Sequence, residues 1–284
     1  MRRTLLNPKI DFVFKKIFGS EEHPEILISF LNAVLKPKKP IVSVEIKNSD
    51  LEKEYIEDKF SRLDVKALTS NKEIINIEIQ LKNEYNMTQR SLYYWSKLYE
   101  EQLEEGDRYD KLCRTVCINI LDFKYLKNDR FHNGYRLKEI ETNEELTDLE
   151  EIHFIEIPKL KKINSEKDIV DVLEGWVEFL RDPESEVVRK LEMTNKEIRE
   201  AKDELYRLSR NSKERELYYL REKSLRDALA NAEEKGMERG IKKGERNKAI
   251  EIAKSLLDVL DIETISIKTG LSIKEIEDIA VMKK

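Results

Sequence analysis

Asp64, Glu78 and Gln80 are the residues of this chain whose types and spacing suit chemistry. They lie in two short runs, Arg62-Leu63-Asp64-Val65-Lys66-Ala67 and Ile74-Ile75-Asn76-Ile77-Glu78-Ile79-Gln80. Both runs read as strands. Side chains alternate between the faces of a strand, so Glu78 and Gln80 share one face while Ile75, Ile77, Ile79 and Leu81 take the other. The break Thr69-Ser70-Asn71-Lys72 between the runs predicts a hairpin. Pairing of the two strands brings Asp64 beside Glu78 and Gln80. Two carboxylates and an amide oxygen at one sheet edge make an all-oxygen site for a hard divalent cation such as Mg²⁺. A bound Mg²⁺ lowers the pKa of its water and polarises a phosphoryl oxygen. The pattern therefore points to metal-dependent phosphodiester chemistry.

The chain that positions these residues has 284 residues, enough for one large domain or a core with an accessory region. Hydrophobic residues make up 39% and can build a core, but charged residues also make up 39%. The excess charge lies mostly in the last hundred or so residues, which predicts a solvated helical region there. Net charge is −5, so any nucleic-acid contact must rest on a local patch. Such a patch exists near the start, where Arg2, Arg3, Lys9, Lys15 and Lys16 outnumber Asp11.

Cys113 and Cys117 fall in one apolar run and read as reduced core residues of a cytoplasmic protein. The three histidines, His23, His132 and His153, are too scattered for a zinc site. No secretory apolar region follows Arg2-Arg3, because Pro8, Lys9 and Asp11 interrupt it. No apolar run approaches the ~18 residues that span a membrane.

Helical spacing of Ile10, Val13, Phe14, Ile17 and Phe18 predicts a first helix stopped by Gly19. Pro24 opens a second, with Leu27, Phe30, Leu31, Val34 and Leu35 on its apolar face. Strands are expected at about 42–47, 62–69 and 73–81. A helix over about 87–105 follows, with Leu92, Tyr93, Trp95, Leu98, Tyr99 and Leu103 apolar and Gly106 at its end. Tyr93, Trp95, Leu98 and Tyr99 read most simply as core. Val116–Leu121 suits a strand buried on both faces. Tyr135–Ile140 and Ile152–Ile157 are further strands. A helix between strands is the crossover of an α/β sheet. After Pro158 the pattern is all helix. Asp168–Leu180 is amphipathic, and residues 184–247 read as one or two long charged helices without proline.

Gly236, Gly240 and Gly244 then recur every four residues. Each costs a soluble helix about 1 kcal/mol, which suggests close backbone contact or deliberate looseness. Three short helices follow, at Ala249–Leu260, from Ile262, and at Ile273–Ala280. Ser272 and Glu275 stand in capping-box register. The last two helices and their glycine turn look like a helix-turn-helix. Glu275, Glu277 and Asp278 on the third helix argue against insertion into a DNA groove. The tail's apolar residues exceed what ~37 residues are expected to bury alone, which predicts packing against another copy or the core.

Several of these pieces together resemble the recombination-promoting nucleases, also called PD-(D/E)XK nuclease family transposases. The matching residues are Asn7-Pro8-Lys9-Ile10-Asp11-Phe12-Val13-Phe14-Lys15-Lys16-Ile17-Phe18-Gly19, Leu63-Asp64-Val65, Ile77-Glu78-Ile79-Gln80, Arg90-Ser91-Leu92-Tyr93-Tyr94-Trp95 and Gly106-Asp107-Arg108-Tyr109. The glycine ladder and Thr269-Gly270-Leu271-Ser272 match as well, so the resemblance covers nearly the whole chain.

The resemblance implies an α/β fold. Its restriction-endonuclease-like PD-(D/E)XK core, a mixed sheet flanked by helices, would span 1–160. An all-helical C-terminal region follows, divided into a charged extension over 161–235 and the glycine-ladder helix with its small module over 236–284. The resemblance further implies a bacterial, cytoplasmic, Mg²⁺-dependent endonuclease acting on double-stranded DNA, with Mn²⁺ able to substitute. The family's setting is recombination or defence against foreign DNA. Transposition would also need strand transfer, which nothing in the sequence indicates.

By the same resemblance Asp64 matches the family's metal-binding Asp and Glu78 its second acid. Gln80 stands where the motif more commonly has Lys. An Ile-Glu-Ile-Gln form is familiar in the family. Lys66, two residues from Asp64, or Lys15 on the first helix are candidates for the missing cation and for DNA contact. Arg90 either holds a DNA phosphate or pairs with a structural acid. Asp11 and Lys15, four apart, either form a solvated ion pair or reach the site. The alternative to an active endonuclease is a catalytically weak or inactive DNA-binding protein that keeps the fold. A homo-oligomer through the C-terminal helices is the expected assembly.

Overall fold

Four apolar side chains at helical spacing, Val13, Phe14, Ile17 and Phe18, drive helix α1 (Asp11–Phe18) and are all buried. This is seen in a computed structural model that describes residues 5–47, 64–162 and 171–283. The expected roles of Arg2, Arg3, Arg62, Leu63, Asp168 and Ile169 fall outside those residues. Gly19 ends α1 with its N–H on the Lys15 carbonyl. A Cβ there would lie 2.7 Å from that carbonyl oxygen, so a side chain would force the turn to shift. Helix α2 (Pro24–Leu35) starts on Pro24 as expected.

Among the described residues six strands form one mixed sheet: β1 (Val44–Lys47), β2 (Val65–Thr69), β3 (Ile74–Gln80), β4 (Thr115–Leu121), β5 (His132–Lys138) and β6 (Glu145–Glu156). Their order is β1-β2-β3-β4-β6-β5. β1, β2 and β3 pair antiparallel. β3–β4 and β4–β6 are parallel, and β5–β6 is antiparallel. The β2–β3 turn closes with Lys72 N–H on the Thr69 carbonyl, in the hairpin the sequence predicted. Helix α3 (Met87–Glu100) is the crossover to β4. Every residue of β4 is buried, as its apolar run predicts.

Two layers cover the sheet. On one face Met87, Tyr94 and Leu98 of α3 pack on Cys117, Leu121, Ile152 and Phe154. On the other lies an aromatic cluster built by α1, α2 and α4 (Val172–Arg181). Phe18 stacks on Phe14 at 4.5 Å and meets Phe30 and Trp176 edge-on at 5.4 Å each. Trp176, Phe14, Phe18, Phe30 and Phe179 are fully buried.

Several boundaries differ from expectation for physical reasons. Helix α3 stops at Glu100 rather than 105; Tyr93 is exposed rather than core, and Leu92 of the apolar set is exposed as well. β6 starts at Glu145, before the apolar run at Ile152, because its first half pairs only with β5 and needs no apolar side chains. The charged stretch after α4 is three helices, α5 (Glu186–Thr194), α6 (Lys196–Arg210) and α7 (Ser212–Leu256). Asparagine marks both breaks. Asn195 Oδ1 accepts from Ile198 N–H at 2.8 Å, and Asn211 Oδ1 accepts from Lys213 N–H at 2.9 Å. The expected separate helix at Ala249–Leu260 does not form, because α7 runs on through the glycine ladder to Leu256. A Cβ at Gly236, Gly240 or Gly244 would meet nothing within 4 Å among the described residues, so within those residues no close backbone contact accounts for the ladder.

The chain divides into two compact units, Met1–Glu222 and Lys223–Lys284. In the second, the end of α7 packs with α8 (Ile262–Thr269) and α9 (Ile273–Lys283). Ala253, Ile265, Leu271, Ile276 and Ile279 form its core, so the tail buries more of its apolar set internally than its length suggests. Ser272 and Glu275 make the predicted capping box: Glu275 N–H donates to Ser272 Oγ at 3.3 Å and Ser272 N–H to Glu275 Oε2 at 2.9 Å.

Candidate active site

Hairpin register sets Val65 opposite Ile77, which carries Asp64 to the level of Glu78. Two backbone donors then hold the acids. Ile79 N–H donates to Asp64 Oδ2 at 2.7 Å, and Asp64 N–H donates to Glu78 Oε1 at 3.4 Å. Parallel pairing places Glu78 beside Asn119 of β4, on the face that α3 covers. There Arg90 Nη2 donates to Glu78 Oε2 at 3.1 Å, and the guanidinium lies 5.2 Å from the centre of the Tyr94 ring. Glu78 is only 2% exposed.

These surroundings make charge expensive. Burial pushes the Asp64 carboxyl up to about 6, and the neighbouring Asp11 charge adds to the rise. The Ile79 N–H, Arg90 and Lys15 oppose it. Burial and the Asp64 charge push Glu78 up to about 8 against the pull of Arg90. Two acids so placed resist ionising together.

Asp64 also lines a cleft of about 820 Å³ with Asp11, Lys15, Gly19, Glu214 and Arg221. Asp11 enters from α1, and a residue far away in the chain meets it there. Asp11 holds Arg221 of α7, whose Nε donates to Oδ1 at 3.1 Å and Oδ2 at 2.9 Å while Nη2 also reaches Oδ2.

The sequence-derived candidates therefore separate. Asp64 and Glu78 come together, with Arg90 on Glu78 and Lys15 in the same cleft. Gln80 ends β3, half-buried, and its carbonyl accepts from Asp122 N–H at 2.9 Å. Asp122 in turn pairs with Lys9 at 2.7 Å. Lys66 lies with Glu101, its Nζ 2.6 Å from Oε2. Arg221 escaped the sequence reading: it stands 210 positions from Asp11, in a run dense with charge, and no spacing rule links them. Among the described residues no group of three or more His, Cys, Asp or Glu side chains is arranged to hold a metal. Any metal would rest on the two acids and on water or substrate oxygens, which Mg²⁺ accepts.

A mixed sheet whose antiparallel hairpin sets the half-buried Asp64 at an open cleft, beside the buried Glu78, is a restriction-endonuclease-like α/β core. The chain belongs to the PD-(D/E)XK nuclease family transposases, whose family model matches residues 8–235. Comparison with curated proteins and with solved structures finds no match. Family and fold agree with the resemblance read from the sequence, and the family supports a nuclease. The matched segment includes Asp11, Asp64, Glu78, Arg90 and Arg221. No helix among the described residues is long and apolar enough to cross a membrane.

Proposed function

We propose that this protein is a Mg²⁺-dependent endonuclease of double-stranded DNA. Asp64 and Glu78 are its metal ligands, and Mn²⁺ is able to replace Mg²⁺. The observation that carries the reading is the pair of acids, Glu78 buried and Asp64 half-buried, held side by side by Ile79 N–H and Asp64 N–H, both pushed to high pKa. That donor set fits a hard dication, which relieves the burial and repulsion at once. When bound, the metal supplies Lewis-acid polarisation of phosphoryl oxygen and activation of water. The chain's own residues supply the rest. The backbone donors fix the carboxylate orientation, Arg90 holds Glu78 against its helix, and Lys15 offers the cleft a positive charge for DNA phosphate. Gln80 orients a water through its amide and adds no charge. The exposed apolar residues of the second unit, Val259, Ile267 and Ile273, support assembly of copies through the C-terminal helices.

A second reading, a DNA-binding protein that cleaves weakly or not at all, is favoured by one observation: Gln80 occupies a position where a lysine would supply charge. Plasmid cleavage decides between the two. Wild-type protein should nick or linearise DNA with Mg²⁺ and not with EDTA, and Asp64→Ala should slow the reaction by at least ~100-fold. Gln80→Lys should match or exceed wild type. DNA binding with no cleavage under Mg²⁺ or Mn²⁺ would establish the second reading.

A further inference from the structure

Among the cations lining the cleft described above, Arg221 is one that neither the metal ligands nor the expected motif accounts for. Arg221 sits on α7, beyond the sheet and its covering helices, yet its guanidinium is clamped on Asp11 of α1. Both residues line the same cleft as Asp64 and Lys15. We propose that Arg221 is a positioning residue of the cleavage site, binding a backbone phosphate of the nucleic-acid substrate and standing in for the lysine that Gln80 replaces. The inference rests on the nuclease reading.

Three observations support it. The first is that three nearby cations that do not line the cleft are engaged elsewhere, whereas Arg221 lines it beside Asp64 and Lys15. Arg90 is spent on Glu78, Lys66 on Glu101 and Lys9 on Asp122. The second is geometry. Asp11 takes Nε and Nη2, so one edge of the planar fork is anchored. The side chain is still 58% exposed, and the residue lines the cleft. Arg presents donors on both edges, so it can pair with a carboxylate on one and a phosphate on the other. The anchor also removes much of the ordering cost that a free Arg would meet on binding. The third is placement. The turn at Asn211 is pinned, with Arg215 Nη1 on the Ser209 carbonyl at 3.2 Å and Lys16 Nζ 3.6 Å from Glu214. The first turns of α7 are thereby fixed against α1, the helix that presents Asp11. A packing ion pair alone would need neither the shared cleft nor so exposed a guanidinium.

Binding of a fluorescent duplex by the full-length protein, with Ca²⁺ in place of Mg²⁺ and salt varied, tests the assignment alongside single-turnover cleavage in Mg²⁺. Arg221→Ala should weaken binding about tenfold and slow cleavage at least about tenfold. Its log–log salt slope should be shallower by about 0.9, the value for one lost phosphate contact. Arg221→Lys should restore the slope, and Asp11→Asn, which frees the guanidinium, should weaken cleavage while keeping the slope. Arg246→Ala, which removes a cation paired with Glu275 in the second unit, should match wild type. A loss of melting temperature in Arg221→Ala with wild-type affinity and slope would make the pair structural and overturn the assignment, whatever happens to cleavage. Wild-type binding without cleavage, with a slope that drops in Arg221→Ala, would overturn the nuclease reading and keep Arg221 as a phosphate contact. Absence of DNA binding by the wild type would overturn both.

Discussion

Burial makes Asp64 and Glu78 hold protons that free carboxyl groups release. Asp64 keeps its proton to about 6 rather than 3.8, and Glu78 to about 8 rather than 4.5. Across those two windows the folded chain binds more protons than the unfolded one. The two acids therefore make the metal-free protein less stable as pH rises through each window, and the loss is complete above the folded values. Asp64→Asn keeps an acceptor for Ile79 N–H and removes one charge. The metal-free variant should accordingly melt above wild type at about pH 8, with the difference vanishing toward about pH 4. In wild type the gain in Tm on adding Mg²⁺ should grow from about pH 6 to about pH 8, as the metal competes with fewer protons. The variant should show little gain at any pH. Melting curves over this range check both statements, and a lower Tm for the metal-free variant at about pH 8 would show that burial and repulsion do not govern the site.

At the scale of elements, the hairpin that holds the acids depends on the helical layer behind it. Phe18 is the meeting point of that layer, in contact with Phe14, Phe30 and Trp176 and fully buried. Phe18→Ala should cost about 3–5 kcal/mol, since it removes the ring and leaves a cavity that rigid neighbours fill poorly. Urea unfolding followed by tryptophan fluorescence measures this. A loss below about 1 kcal/mol would mean that the layer collapses freely and does not brace α1. The far edge of the sheet is braced differently, by a polar chain. His132 Nε2 and His153 Nδ1 lie 2.8 Å apart, and His153 Nε2 lies 2.6 Å from Glu151 Oε1. Glu151 also accepts from Arg114 at 2.6 Å. Periodicity predicted α1, the hairpin and β4 because their apolar spacing is local. It missed the first half of β6 and this polar chain, because partners on neighbouring strands stabilise them.

For the whole molecule, two compact units have two separate cores. The first unites the sheet with α1–α6 and the first turns of α7, and the second is closed by Ile265, Leu271 and Ile276 around Ala253. Ile267 on the second unit stays 84% exposed, with Val259 and Ile273 also open to solvent. Isolated apolar residues on a surface are ordinary, so solution measurement must decide whether copies meet there. Sedimentation should show the full chain as a dimer and a chain truncated near Asn231 as a monomer. If both sediment as monomers with equal cleavage rates, the second unit has no assembly role.

The chain's own pattern was enough to pair Asp64 with Glu78, because strand alternation and a four-residue break admit few registers. It also marked α1, α2, the buried β4 and the capping box at Ser272. The tertiary structure alone decided where the positive charges go. Lys66 turns to Glu101, Arg90 turns to Glu78, and Arg221 crosses 210 positions to reach Asp11. It also decided that the glycine ladder stays within one helix and that the tail closes over its own core. The physical reason is the same in each case. Hydrophobic periodicity is a local property of the chain, whereas an ion pair or a cleft depends on which surfaces the folded layers bring together, and long charged side chains carry no mark of their partner.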